Sequence, residues 1–319
     1  MTGRALRTQA SRTAAIAFLA AVVLIGAAPT PAPYVINVAP GGQPHVPVVM
    51  KKTVAMDARI ALSFNQALVL NSPAAGRAGL KAFPLFGKRT FKNAFIPGGE
   101  ATFRFNLLDV TPRGLPKKKT PVVWVDKPVA ADADGVLSIT AMKADRIVFE
   151  LGPQAPGSKI YTLTRPDSSE VGMAERIGGE KIDIAFELNS PDTVMNARAA
   201  AALFSAGLVK RNGQVGFWVP FPGVALPFER LTATPGATLV GLPLSNAGVR
   251  ITEAQAKTLD ARAKAGTSTE EDDADTITVT SSTKKGRDPW ILIGRDMLSK
   301  CSRIEFDRPG KAWHLTCAF

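Results

Sequence analysis

The chain is poor in the residues that bind metal ions, with only two Cys and two His among its 319 residues. So few thiols and imidazoles exclude zinc clusters and multi-disulfide scaffolds, and we expect no metal site and no cofactor. Long apolar runs are missing beyond the N-terminus, which excludes a polytopic membrane protein. The 27 Gly and 24 Pro indicate many turns, but they are too few for a collagen-like or disordered chain.

The N-terminus has the pattern of a secretory signal peptide. Arg4, Arg7 and Arg12 precede an uncharged, apolar stretch over 13–28, and a Pro-rich segment follows it. We therefore predict a signal peptide over 1–28 and a protein exported to the periplasm or the cell exterior, with no transmembrane span after cleavage. We interpret the net charge of +12 mainly as solvated surface and expect no nucleic-acid partner. Attraction to an anionic envelope would follow from the same charge without specificity.

The two cysteines flank a predicted hairpin near the C-terminus. Strand-like segments on either side of a turn at 308–310 end in Cys301 and Cys317. A turn centred on Pro309 places these two residues opposite each other, and export permits their oxidation. We predict a structural disulfide between them.

Short motifs recur along the chain in one order, which indicates an internal duplication. Most segments are short, apolar or alternating, as in strands, and helices are predicted only over 196–208 and 253–265. The second copy is longer because of an acidic and polar insertion. The recurring pairs are 70–73 with 188–191, 96–98 with 221–223, 111–112 with 234–235, and 136–150 with 292–307.

These repeats predict a division of the chain into two related lobes. A Pro-rich leader precedes the first lobe, and a linker rich in Gly, Pro and Ser joins the lobes. The predicted ranges are 29–45 for the leader, 46–165 for the first lobe, 166–176 for the linker, and 177–319 for the second lobe with its insertion at 252–287.

The second copy resembles the retropepsin-like aspartic proteases. The resemblance rests on Ile291–Leu298, which reads apolar-apolar-apolar-Gly-Arg-Asp-Met-Leu, and on Ile304–Asp307 after it. It implies an all-β fold of two retropepsin-like barrel lobes, related by pseudo-twofold symmetry, with a cleft between them. In this family Gly294, Arg295 and Asp296 would be structural.

The catalytic triplet of that family is altered in both copies. Members use Asp-Thr/Ser-Gly in each lobe, so that two carboxyls share one proton. At the aligned positions this chain has Asn71-Ser72-Pro73 and Asn189-Ser190-Pro191. An amide cannot serve as the general acid or base, so we expect no catalytic residue there. Ser72 and Ser190 match the hydroxyl that joins the lobes in the family.

The leading hypothesis is a catalytically inactive protein that binds an extended peptide or an envelope protein in the cleft. One alternative is an active aspartic endopeptidase that uses other carboxylates, with Asp57, Asp109, Asp126 and Asp192 as candidates. Another is a structural envelope protein without a cleft ligand. No oligomeric state is predicted. The expected binding residues are at the two hairpin tips and beside them: Pro97, Gly98, Trp218, Phe221, Pro222 and Gly223.

Overall fold

A computed structural model describes residues 32–51, 53–92, 96, 98–265 and 288–319. The predicted signal peptide, the predicted binding residue Pro97 and most of the predicted insertion lie outside these ranges. The strands of the described part are β1 (Tyr34–Asn37), β2 (His45–Met50), β3 (Val54–Ala61), β4 (Leu68–Asn71), β5 (Lys88–Lys92), β6 (Glu100–Pro112), β7 (Lys118–Val125), β8 (Gly135–Ser138), β9 (Arg146–Glu150), β10 (Lys159–Thr164), β11 (Met173–Ile177), β12 (Glu180–Phe186), β13 (Val194–Met195), β14 (Val209–Phe221), β15 (Val224–Ala233), β16 (Thr238–Leu239), β17 (Leu242–Pro243), β18 (Asn246–Arg250), β19 (Trp290–Ile293), β20 (Cys301–Asp307) and β21 (Ala312–Cys317). The α-helices are α1 (Ser72–Arg77), α2 (Ala197–Ser205), α3 (Glu253–Ala265) and α4 (Arg295–Leu298).

The predicted all-β fold is confirmed, and it includes a closed barrel. The first lobe is a seven-stranded sheet in the order β2-β3-β8-β4-β7-β6-β5. Strand β2 also pairs with β6, for example Val49 with Thr111, and this pairing closes six strands into a barrel. Closure gives the edge strand β2 a second partner and surrounds a core of alternating side chains.

The second lobe repeats the strand order of the first. Its order is β11-β12-β19-β13-β18-β15-β14. Each neighbouring pair runs in the same relative direction as its counterpart in the first lobe: β3–β8 and β12–β19 are parallel, as are β4–β7 and β13–β18. The other four pairings of each sheet are antiparallel. The two lobes therefore have one topology.

A third sheet of five strands, in the order β1-β9-β20-β21-β10, draws on distant parts of the chain. The predicted leader contributes β1, which pairs with β9. The predicted linker starts after β10 and runs into β11. Trp313 on β21 is fully buried and packs against Phe186 of the second lobe and Phe306 of β20. This aromatic cluster connects the sheet to the second lobe.

The predicted disulfide between Cys301 and Cys317 is confirmed. The register that produces it differs from the prediction by one residue. Ile304 pairs with Leu315, so the turn is centred between Pro309 and Gly310 rather than on Pro309. An irregularity between Cys301 and Arg303 absorbs one residue and brings the cysteines opposite each other.

Both predicted helices are present. Helix α2 begins after Asn196, whose side chain accepts a hydrogen bond from the Ala199 amide at 3.0 Å and so caps the N-terminus. Helix α3 has the predicted bounds and is the described part of the predicted insertion. None of the helices described is long and apolar enough to cross a membrane.

Candidate functional site

A large cavity of about 1300 Å³ has side chains of both lobes in its wall. Its lining is mainly apolar, with Val69, Val123 and Val136 from the first lobe and Trp218 and Ile291 from the second. Of the predicted binding residues, three line this cavity: Trp218, Phe221 and Pro222. Gly98 and Gly223 occupy left-handed turn conformations, with φ of 80° and 81°, which Gly adopts without steric cost.

Trp218 lies on β14, an edge strand of the second lobe. Its ring is 6.1 Å from the ring of Trp290, and the guanidinium of Arg250 lies 5.7 Å from its centroid. The neighbouring Phe217 is 58% exposed and is not among the lining residues. The hairpin thus presents Trp218 to the cavity and Phe217 to solvent.

A polar contact between the lobes lies at the wall of this cavity. Glu187 follows β12 directly, and Ser63 follows β3, the equivalent strand of the first lobe. The Ser63 hydroxyl donates to Glu187 Oε2 at 2.6 Å. The same oxygen accepts from the backbone amides of Leu62 at 3.2 Å and Ser63 at 3.3 Å. One carboxyl of the second lobe is therefore held by three donors of the first.

The other oxygen of Glu187 is bound within the second lobe. Asn189 donates to Oε1 from its backbone at 3.0 Å and from its side chain at 2.7 Å. The side-chain amide also donates to the Ile60 carbonyl across the lobes at 2.8 Å. Its oxygen is buried and has no hydrogen-bond partner in the described structure. Asn189 is also one of the residues that line the cavity.

Burial raises the pKa of Glu187 above the usual range of a carboxyl, while the hydrogen bonds from Ser63 and Asn189 lower it in part. The side chain is only 7% exposed, so the charged form loses most of its hydration. The partners described for its two oxygens are a hydroxyl and amides. The site therefore holds one carboxyl facing a hydroxyl, rather than two carboxyls sharing a proton.

A raised pKa has a definite consequence for stability. The folded chain binds the Glu187 proton more tightly than the unfolded chain, so the stabilisation is complete below the ordinary pKa and is lost as the pH rises through the folded pKa. We expect the unfolding free energy of the protein, relative to Glu187→Gln, to fall as the pH increases above about 4. Urea unfolding of both proteins across this range measures the difference. An unfolding free energy of the wild type that rose relative to that of Glu187→Gln as the pH increased would contradict the raised pKa.

The two Asn-Ser-Pro segments are not at equivalent places in the fold, which corrects the sequence alignment. Asn71 is the last residue of β4, whereas Asn189 precedes β13, the strand that corresponds to β4. The Asn71 side chain accepts from the Val129 amide at 2.7 Å and donates to the carbonyls of Ala130 and Ala133, both at 2.8 Å. Asn71 therefore fixes a loop of its own lobe, and its partners differ from those of Asn189.

The hydroxyls predicted to join the lobes make local hydrogen bonds. Ser72 donates to the Val125 carbonyl at 2.8 Å, and Ser190 donates to the Asp192 carbonyl at 2.7 Å. Each of these bonds stays within one lobe. The bonds at the cavity wall that cross between the lobes come instead from Leu62 and Ser63 to Glu187 and from Asn189 to Ile60.

The Gly-Arg-Asp motif ties α4 to the segment before β13. Asp296 accepts from the Thr193 amide at 3.0 Å and from the Thr193 hydroxyl at 2.7 Å. A Cβ at Gly294 would lie 2.4 Å from the Asp192 carbonyl oxygen, so no larger residue fits without a shift. Arg295 donates to the Gly41 carbonyl at 2.7 Å. Burial raises the pKa of Asp296, and the nearby charge of Asp192 adds to this.

The carboxylates considered as alternatives do not surround Glu187. Asp57 contacts His45 Nδ1 at 2.6 Å, and Asp126 accepts from the Thr102 amide. The remaining two pair with basic side chains: Asp109 with Lys117 at 3.7 Å and Asp192 with Arg230 at 3.3 Å.

The sequence prediction missed both Glu187 and Ser63. A usable signal was present, because Ile182, Ile184 and Phe186 alternate as buried residues along β12 and an acid, Glu187, follows the strand directly. A buried strand that leads into a carboxylate at a lobe contact suggests a functional group. The repeated Asn-Ser-Pro motif instead placed the predicted catalytic positions at Asn71 and Asn189.

No protein-family model and no curated protein matches the chain.

Proposed function

We propose that this chain is an exported, aspartic-protease-like protein that binds an extended polypeptide between its lobes without cleaving it. The observation that carries the proposal is the pairing of Glu187 with Ser63 at the lobe contact. Hydrolysis by this family's chemistry needs two carboxyls with one shared proton, one acting as base on water and the other as acid. A serine hydroxyl cannot replace the second carboxyl, because its proton is not released near neutral pH.

The lining of the cavity suits a polypeptide in an extended conformation. Apolar side chains from both lobes offer surface for peptide side chains, and β14 is a sheet edge beside the cavity. Polar side chains such as Ser168, Asp183 and Asn189 also line the cavity and offer hydrogen-bonding groups beside this apolar surface. These features support a binding site that combines apolar contacts with a few fixed polar groups.

Export is proposed on two grounds. The predicted signal peptide is one, and the Cys301–Cys317 disulfide is the other, since disulfides persist in oxidising compartments such as the periplasm or the cell exterior. The alternative of a structural envelope protein predicted lobes without an open groove between them. The cavity of about 1300 Å³ argues against that alternative.

A second candidate function is an active endopeptidase, and Glu187 is the observation that favours it. A buried carboxyl with a raised pKa in the wall of a cleft has the properties of a general acid. The described structure gives it a hydroxyl rather than a carboxyl as its cross-lobe partner, so we place this candidate second.

Titration of a fluorescently labelled, unfolded casein fragment with the protein tests the proposed binding. We expect a saturable rise in fluorescence anisotropy as the fragment enters the cleft and tumbles with the protein. Unlabelled unfolded casein should displace it, whereas a folded globular protein should not. No rise at any concentration, or equal displacement by the folded protein, would contradict a cleft for extended chains.

A further inference from the structure

An exposed apolar loop projects from the first lobe between α1 and β5. Leu85 at its tip is 96% exposed, and Phe83 and Phe86 are 43% and 57% exposed. The ring of Phe83 lies 5.9 Å from that of Phe86 and 6.2 Å from that of Phe105 on β6, which is also exposed. We call these four residues the aromatic patch. Apolar side chains clustered this way on a surface mark a contact site.

Backbone hydrogen bonds hold the loop in an unusual conformation. Leu85 has a φ of 70°, a left-handed conformation that costs free energy in a branched residue. The backbone of Phe83 donates to the Phe105 carbonyl, and the Phe105 amide donates to the Gly87 carbonyl, both at 2.8 Å. A Cβ at Gly87 would lie 2.3 Å from the Phe83 nitrogen, so the turn requires glycine. The fold therefore holds the Leu85 side chain exposed to solvent.

Positive charge surrounds the aromatic patch. The chain over 78–99 contains Lys81, Lys88, Arg89 and Lys92 and no acidic residue. All four basic side chains are exposed. Lys88 also pairs directly with Arg104 across β5 and β6, although like charges in this position destabilise a sheet. Glu100 lies opposite Lys92 on the same pair of strands, so the excess positive charge beside the apolar tip comes from Lys81, Lys88, Arg89 and Arg104.

We propose that the aromatic patch and its basic rim dock the protein on an anionic lipid bilayer. Leucine and phenylalanine insert at the boundary between headgroups and acyl chains, while lysine and arginine pair with anionic headgroups. A tip that is almost wholly exposed projects outward, so it fits a deformable lipid surface. This site is separate from the cavity residues that carry the proposed function.

Co-sedimentation with vesicles tests the proposal. The probes are vesicles of phosphatidylcholine alone and of phosphatidylcholine mixed equally with phosphatidylglycerol. We expect the full chain to bind the mixed vesicles, to bind neutral vesicles much less, and to dissociate as salt is added, because salt screens the headgroup contacts. Absence of binding to the mixed vesicles would overturn the proposal.

Two variants separate this patch from other surfaces. Leu85→Asp should reduce binding by about tenfold or more, the scale expected for one buried leucine side chain. Ile160→Asp makes the same charge change at a residue that is 73% exposed on β10, outside the patch, and should leave binding unchanged. Equal binding of both variants would overturn the proposal, because another segment would then hold the vesicles.

A charge reversal provides a test independent of the strained tip. Lys88→Glu with Arg89→Glu should abolish the preference for mixed vesicles, and retention of that preference would contradict the role of the basic rim.

Analytical ultracentrifugation distinguishes a protein partner from lipid. If the wild type self-associates through the patch, does not bind vesicles, and becomes monomeric on Leu85→Asp, the surface is an interface between copies and the proposal is wrong.

Discussion

Replacing Trp218 by Ala is expected to weaken polypeptide binding by about 2 kcal/mol, or roughly thirtyfold. Trp218 is a large aromatic side chain in the cavity wall, and both Trp290 and Arg250 lie against it. Such a packed aromatic residue is the type that dominates the energy of an interface. The casein anisotropy titration measures the change in dissociation constant.

The adjacent residue provides a matched control. Phe217 is also aromatic and lies on the same strand, but it faces solvent and is not part of the cavity wall. Phe217→Ala should therefore leave the dissociation constant within a factor of about two, as for most residues outside a binding hot spot. Equal losses in both variants would show that the casein fragment binds along the hairpin rather than in the cavity.

Removing the disulfide is expected to cost about 3 kcal/mol of stability. Cys301 and Cys317 are 16 residues apart, so the bond closes a loop in the unfolded chain and lowers the conformational entropy of the unfolded state. Both residues are buried in the hairpin that also carries Trp313. Urea unfolding of Cys301→Ser with Cys317→Ser, compared with the wild type, measures the loss.

Reductant distinguishes the covalent bond from the packing of the side chains. Treating the wild type with reductant should lower its urea midpoint towards that of the double variant, while the double variant itself should not respond. If the double variant matched the oxidised wild type, the hairpin would be held by its β pairing and aromatic core, and the disulfide would contribute nothing measurable.

Much of the fold could be predicted from local patterns. Alternating burial along β12 and the turns between strands are local features, and so the all-β class follows from the sequence. The bounds of α3 and the Cys301–Cys317 pair were also predictable. The register of the last hairpin was predicted one residue off, because the irregularity near Ser302 leaves no clear sequence signal.

The contact between Glu187 and Ser63 was not predictable in the same way. Ser63 and Glu187 are 124 residues apart, and their pairing depends on how the two lobes meet. The repeated Asn-Ser-Pro motif suggested equivalence, yet Asn71 supports a loop of its own lobe while Asn189 binds Glu187. Identical tripeptides have different roles here because tertiary contacts decide which polar groups meet.

Mass spectrometry of unfolded casein tests whether the protein leaves an extended chain intact. The protein is incubated with casein from acid to neutral pH, with and without a transition-state inhibitor of aspartic proteases, alongside Glu187→Gln. We predict intact casein in every sample. Fragments that the inhibitor suppresses and that Glu187→Gln fails to produce would instead show an active endopeptidase and identify Glu187 as a catalytic carboxyl.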